Sequence, residues 1–144
     1  MTYRQILLAV DLSQDSEAVG ARAVALARQS QAGIVLAHVV TPVYPEPIYG
    51  GVPALPLDLE AQLVEAAREA LSTLAGRLGL AAADCVVRVG TPKTVILDLA
   101  RERGADLIVV GSHGVHGLGL LLGSTANGVL HGAPCDVLAV RVHR

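Results

Sequence analysis

A chain of 144 residues reads as one domain spanning residues 1–144, and it is long enough to bury a core without disulfide or metal staples. Hydrophobic residues make up 52% of it, yet Trp and Phe are absent and the aromatics are Tyr3, Tyr44 and Tyr49, so the core must be aliphatic. The formal net charge of −2, with no long run of one sign, argues against nucleic acid as a partner, because a phosphate-backbone binder carries a basic stripe.

Gln5 to Val10 is a short apolar run ending at Asp11, which predicts a central strand buried on both faces. Ser13 or Asp15 is placed to cap the helix that follows, whose apolar positions Val19, Ala23, Leu26 and Ala27 recur at helical spacing to about Gln31. Gly33 is read as its stop, and Ile34 to Val40 as a second strand. Thr41 to Pro56 holds five prolines and two glycines and predicts a surface loop, in which Tyr44 and Tyr49 are candidates to pack over a ligand. Leu57 to Leu78 carries the longest helical pattern, with Leu59, Leu63, Ala66, Ala67, Ala70, Leu71 and Leu74 as its apolar stripe and Gly79 as its stop.

Asp84 to Val89 reads as a third strand, and Gly90-Thr91-Pro92 ends it and opens a helix to Arg103. Ala105 to Val110 is a fourth strand, followed by a loop from Gly111 to about Leu122. Gly123-Ser124-Thr125 opens a helix to roughly His131, with Ser124 and Thr125 as N-cap residues, and Asp136 to Val142 is a fifth strand. Strands alternating with helices imply an α/β fold: a doubly wound parallel sheet with helices on both faces and right-handed crossovers. Ligands of such sheets sit beyond the carboxyl ends of the strands, where the strand order reverses. The turns holding Asp11, Val39-Val40 and Gly111–Gly114 meet there if the first and fourth strands are neighbours.

Val109-Val110-Gly111-Ser112-His113-Gly114 followed by Gly123-Ser124-Thr125 is the chemically pointed part of the chain. Glycine lets a phosphate approach the backbone closely, and a helix N-terminus adds unpaired N–H donors and a favourable dipole. The other candidates are weaker. His113 and His116 stand in the same loop without a Cys or carboxylate beside them, so they read as loop polar residues rather than zinc ligands. His38, in an apolar strand, reads as a satisfied core or sheet-edge histidine. Ser112 lacks the Gly-x-Ser-x-Gly spacing of a nucleophile elbow, and Gly90-Thr91-Pro92-Lys93-Thr94 lacks the first glycine of a P-loop. Cys85 and Cys135, without CxxC spacing, read as buried free thiols. No apolar run approaches the ~18 residues of a transmembrane helix, and Met1–Arg4 opens no signal peptide, so the expectation is a cytoplasmic protein with no membrane partner.

Several stretches together make a further pattern: Ile6-Leu7-Leu8-Ala9-Val10-Asp11-Leu12-Ser13, Leu36-Ala37-His38-Val39-Val40, Val89-Gly90-Thr91-Pro92, residues 105–114, Gly123-Ser124-Thr125 and residues 133–140. In these the chain resembles the universal stress protein family over nearly its whole length. That resemblance implies a five-stranded sheet ordered 3-2-1-4-5 and a homodimer through the last strand. It also implies, for one branch, ATP bound through a glycine signature. Asp11 would hold the ribose or a metal-bridged phosphate, the backbone around Val39 would meet the adenine, Gly111 and Gly114 would line ribose and phosphates, and Gly123, Ser124 and Thr125 would hold the phosphate tail. Ala9 and Val110, at the adjoining strand ends, complete the implied cofactor-binding set, with Mg²⁺ carried by the nucleotide and Asp11 through water. No residue takes a catalytic role or is a direct metal ligand. Between Gly114 and Gly123 this chain has eight residues, one fewer than the signature.

The function so implied is a nucleotide-binding sensor or modulator in stress response. ATP hydrolysis would be slow at most, since no Walker lysine and no general base is evident. The alternative is an interaction module of the same fold that binds no nucleotide. An adenylating enzyme is disfavoured, because Asp11-Leu12-Ser13-Gln14-Asp15 lacks the Ser-Gly-Gly-x-Asp-Ser type loop of that class. The partner proteins are not legible.

Overall fold

Five strands and four α-helices alternate in the computed structural model, which describes residues 2–42, 58–112 and 122–142. In chain order they are β1 (Gln5–Ala9), α1 (Ser16–Ser30), β2 (Gly33–Val40), α2 (Leu59–Leu78), β3 (Cys85–Val89), α3 (Pro92–Arg103), β4 (Leu107–Gly111), α4 (Ser124–Gly132) and β5 (Asp136–Val140), with a single 3-10 turn at Ala82–Asp84 before β3. The strands form one all-parallel sheet in the order β3-β2-β1-β4-β5. This is the doubly wound α/β architecture expected from the strand–helix alternation and the resemblance.

The run Ile6-Leu7-Leu8 is fully buried because β1 is the central strand and both its faces are covered. Strand side chains alternate between faces. Ile6, Leu8 and Val10 pack with Val19, Ala23 and Ala27 of α1 and with Leu71, Leu74 and Leu78 of α2. Leu7 and Ala9 pack on the other face with Ile96, Leu99 and Ala100 of α3 and with Ala126 and Val129 of α4. Each fully buried leucine or isoleucine contributes roughly 1.5–3 kcal/mol through removal from water.

Three details differ from the sequence reading. Helix α1 stops at Gln31, which takes the left-handed conformation (φ 55°) and turns its N–H back to the Ala27 and Arg28 carbonyls, so Gly33 is free to open β2. The buried stripe of α2 is Ala67, Leu71, Leu74, Ala75 and Leu78; Leu63, Ala66 and Ala70 are exposed. Ser124 and Thr125 are the first two residues of α4 rather than its caps; extended Gly123 holds the cap position without a side-chain bond.

Helix α4 lies close on α3. A Cβ at Gly128 would come within 2.7 Å of the Lys93 stem, and one at Gly132 within 2.7 Å of a Leu97 methyl. Lys93 and Leu97 are one turn apart, so the two glycines form a shallow channel for one ridge of α3. That seating sets where the α4 N-terminus emerges.

Cys85 and Cys135 are free and half-buried rather than buried. Burial pushes both thiols up, helped by Asp84 at the first and by Asp136 and Asp106 at the second, so both stay in the unreactive form. Among the described residues, no helix is long and apolar enough to cross a membrane.

Candidate functional site: a cleft where the central strand ends

The central strand ends before either neighbour does, and that makes an opening. β1 pairs with β2 up to Ala9–Ala37, and with β4 only up to Leu8–Val109. Beyond those rungs β2 continues to Val40 and β4 to Gly111, each still paired on its outer side with β3 and β5. The chain after β1 turns away at Leu12, a non-glycine residue with φ 61°. Strands β2 and β4 therefore flank a gap above the end of β1, at the reversal point of the strand order. A cleft of about 410 Å³ occupies it, within the size range of small-molecule sites.

Of the nine residues expected to bind a cofactor, eight line this cleft: Ala9, Asp11, Val39, Val110, Gly111, Gly123, Ser124 and Thr125. The ninth, Gly114, lies outside the described residues, as do His113, His116, Tyr44 and Tyr49. The small side chains of Ala9, Ala37 and Ala126 leave the floor open, and Val19, Val39 and Ile96 give it apolar walls.

Each polar group is positioned by its own local structure. Asp11 is exposed, and its Oδ1 accepts from the Ser13 N–H (2.9 Å) and the Ser16 hydroxyl (3.3 Å). One carboxylate oxygen thus organises the turn into α1, a side-chain-to-backbone bond two residues on. The predicted cap by Asp15 is not made: Asp15 stands at the N-cap position without a side-chain cap bond. At the opposite wall the Gly123 N–H donates to the Ser112 carbonyl (2.6 Å), and the first intrahelical bond of α4 is Asn127 N–H to the Gly123 carbonyl. The N–H groups of Ser124, Thr125 and Ala126 precede that bond, so they are the helix's orphan donors, and all three residues line the cleft. Ser112 itself is buried at 5% exposure, and among the described residues its Oγ has no hydrogen-bond partner and it does not line the cleft, which argues against a nucleophile.

Sequence reasoning missed several lining residues. His38, read as a sheet histidine, is half-buried with its Nδ1 2.8 Å from the Val10 carbonyl oxygen, and it also faces the cleft. Pro92 at the start of α3 and Leu63 on α2 line it as well. The signal for Pro92 was present, since a helix that begins at a strand's carboxyl end must begin at this rim. Among the described residues, neither Lys nor Arg lines the cleft, and no group of three or more His, Cys, Asp or Glu side chains is placed to hold a metal ion.

The sheet order is the one the family resemblance implies. The model of the universal stress protein family matches residues 2–141. The chain belongs to the universal stress protein family. Among curated members, universal stress protein A homologs 2 and 1 of Coxiella burnetii are 42% and 41% identical to it, each over 97% of this chain and 96% and 97% of their own lengths. Among solved structures, UspA from Lactobacillus plantarum superposes with a TM-score of 0.76 at 29% identity, covering 98% of this chain and 99% of that one. A universal stress protein crystallised in complex with cAMP superposes with a TM-score of 0.61 at 31% identity, covering 97% and 98%.

Proposed function

We propose that this universal stress protein binds an adenine nucleotide, ATP in the first instance, in the cleft above β1, and acts in stress response as a dimeric sensor or modulator. The observation that carries the reading is the convergence of an oriented carboxylate (Asp11), the backbone of Val39 and the orphan N–H groups of α4 around one cavity. These donor sets suit the three parts of a nucleotide. The ribose has hydroxyls that a carboxylate accepts from, the adenine edge presents a donor beside an acceptor, and phosphates favour helix N-termini. The cAMP complex of a relative supports an adenine-nucleotide ligand for the family.

The charge balance says how a triphosphate would be held. With no cationic lysine or arginine lining the cleft among the described residues, its charge is met by the α4 N-terminus and by a divalent ion that travels with the nucleotide. Asp11 is the residue placed to meet that ion through water. The same absence, together with the lack of a positioned general base, supports binding rather than efficient phosphoryl transfer, and hydrolysis is slow at most. The homodimer is part of the proposal. Among the described residues β5 pairs only with β4 and so offers an edge, and Leu130 on α4, the helix before it, is 53% exposed. A cytoplasmic location is likewise part of the proposal.

The test is to purify the protein from its host, denature it by heat and weigh what is released. An adenine nucleotide is expected in near-stoichiometric amount, and titration of stripped protein with ATP–Mg²⁺ is expected to give a saturable heat. Sedimentation of the same sample is expected to show a dimer. Stripped protein that takes up no adenine nucleotide at millimolar concentration would leave the interaction-module reading.

A further inference from the structure

The last rung between β1 and β2 is Ala9–Ala37. The parallel register calls next for Val10 opposite His38, a rung made of two bonds: Val10 N–H to the Ala37 carbonyl, and Val39 N–H to the Val10 carbonyl. The first is present at 3.0 Å. The second is not formed, and β1 ends one residue early for that reason. Its acceptor is engaged by a side chain instead: the His38 ring nitrogen Nδ1 lies 2.8 Å from the Val10 oxygen. A carbonyl only accepts, so Nδ1 must carry the proton and donate. The imidazole of His38 has taken the place of the Val39 N–H in the ladder.

We infer that His38 is a positioning residue that keeps the Val39 N–H and C=O out of the sheet and available to the ligand. Both groups lie on the edge of β2 that faces β1, because Ala37, two residues earlier, uses its groups on that edge. They fall beyond the last β1 partner, and Val39 lines the cleft. A donor and an acceptor side by side on an extended backbone suit the amino-and-ring-nitrogen edge of a nucleobase. With an ordinary aliphatic residue at position 38, the Val10 carbonyl is open to the Val39 N–H, the ladder gains a rung, and that edge of the cleft closes. The inference rests on the nucleotide reading for its ligand, while the exchange of hydrogen-bond partners stands without one.

The experiment has two parts. In ligand-free protein, amide hydrogen exchange and the through-bond coupling between the Val39 N–H and the Val10 carbonyl are measured for the natural chain, His38→Leu and His38→Asn. Asparagine places an amide N–H where Nδ1 lies. In His38→Leu the coupling is expected to appear and Val39 exchange to slow at least tenfold; in His38→Asn neither is expected. In the second part ATP–Mg²⁺ and inorganic tripolyphosphate–Mg²⁺ are titrated into each protein. His38→Leu is expected to lose at least tenfold in ATP affinity but little for tripolyphosphate, and His38→Asn to recover ATP affinity to within about threefold of the natural chain. An unchanged Val39 amide in His38→Leu, or equal loss for both ligands, overturns the inference. If the natural chain binds no ATP, the function proposal fails, and the Val39 measurement still decides the role of His38.

Discussion

The two rims of the parallel sheet are built to opposite purposes. At the amino rim the starts of β2, β4 and β5 are each tied to the segment that leads into β1. The Gly33 N–H donates to the Arg4 carbonyl (2.9 Å), and the Asp106 carboxylate accepts from the N–H groups of Arg4 and Gln5. The Asp106 N–H returns to the Gln5 carbonyl (3.0 Å), and the Tyr3 hydroxyl donates to Asp136 (3.0 Å). At the carboxyl rim the outer pairs stay laced, by Gly90 N–H to Val40 and Ser112 N–H to Val140, while β1 leaves β4 after Leu8 and keeps to β2 only the Val10 N–H bond to Ala37 and the His38 ring bond to the Val10 carbonyl. The difference shows where stability and function separate in this chain. The amino-rim donors named here are used up within the protein, whereas at the carboxyl rim the first N–H groups of α4 face a cavity.

The contrast can be broken from its shared base. Leu8 is fully buried, directly beneath the cleft on the middle strand. Leu8→Ala is expected to cost about 2–5 kcal/mol through lost burial and the cavity left behind, read as a lower midpoint in urea unfolding. A loss under about 1 kcal/mol would show that the sheet's centre does not carry both rims.

A smaller change sharpens it by moving binding and stability in opposite directions. Thr125→Glu sets a carboxylate in the first turn of α4, where the helix dipole favours negative charge by about 0.3–1 kcal/mol. Thermal stability is expected to hold or rise slightly. Nucleotide affinity is expected to fall tenfold or more, because the same charge repels phosphate. Retained affinity in calorimetry would move the phosphate site away from α4.

The smallest expected effect tests the closed rim. The N–H donors of Gln5 and Arg4 hold the Asp106 carboxyl below the ordinary carboxylate range. A depressed folded-state value gives stability that is present above the unfolded value, 3.8, and is lost as pH falls through the lower folded value. Asp106→Asn is therefore expected to lower Tm at pH 7 by roughly 3 °C, about 1 kcal/mol. The gap to the natural chain is expected to shrink in scans below about pH 4. A gap that persists at pH 2.5 would mean that packing, not the carboxylate charge, separates the two proteins. Nucleotide affinity is expected to be the same for both at pH 7.

Much of this was legible beforehand for a physical reason. Strand and helix periods are local, so the apolar run at Gln5–Val10, the proline start of α3 and the left-handed stop at Gly79 read directly from neighbouring residues. The Gly123-Ser124-Thr125 helix start was visible for the same reason. Caps were misread because residue type alone does not say which residue takes the cap position or bonds there: Asp11 reaches forward into the turn before α1 while Asp15 makes no cap bond, and extended Gly123 rather than a hydroxyl begins α4.

What the sequence determined by itself is the alternation of strands and helices, the aliphatic core, and the residues that could face a phosphate, because each depends on side chains a few positions apart. Only the tertiary structure decided where the sheet opens. That depends on register across three strands remote in sequence: β1 stops at Ala9 while β2 runs on to Val40 and β4 to Gly111, and a histidine on β2 takes the carbonyl that would have carried the ladder one rung further. No local pattern encodes that competition, since the imidazole and the amide it displaces meet Val10 only once the strands have paired.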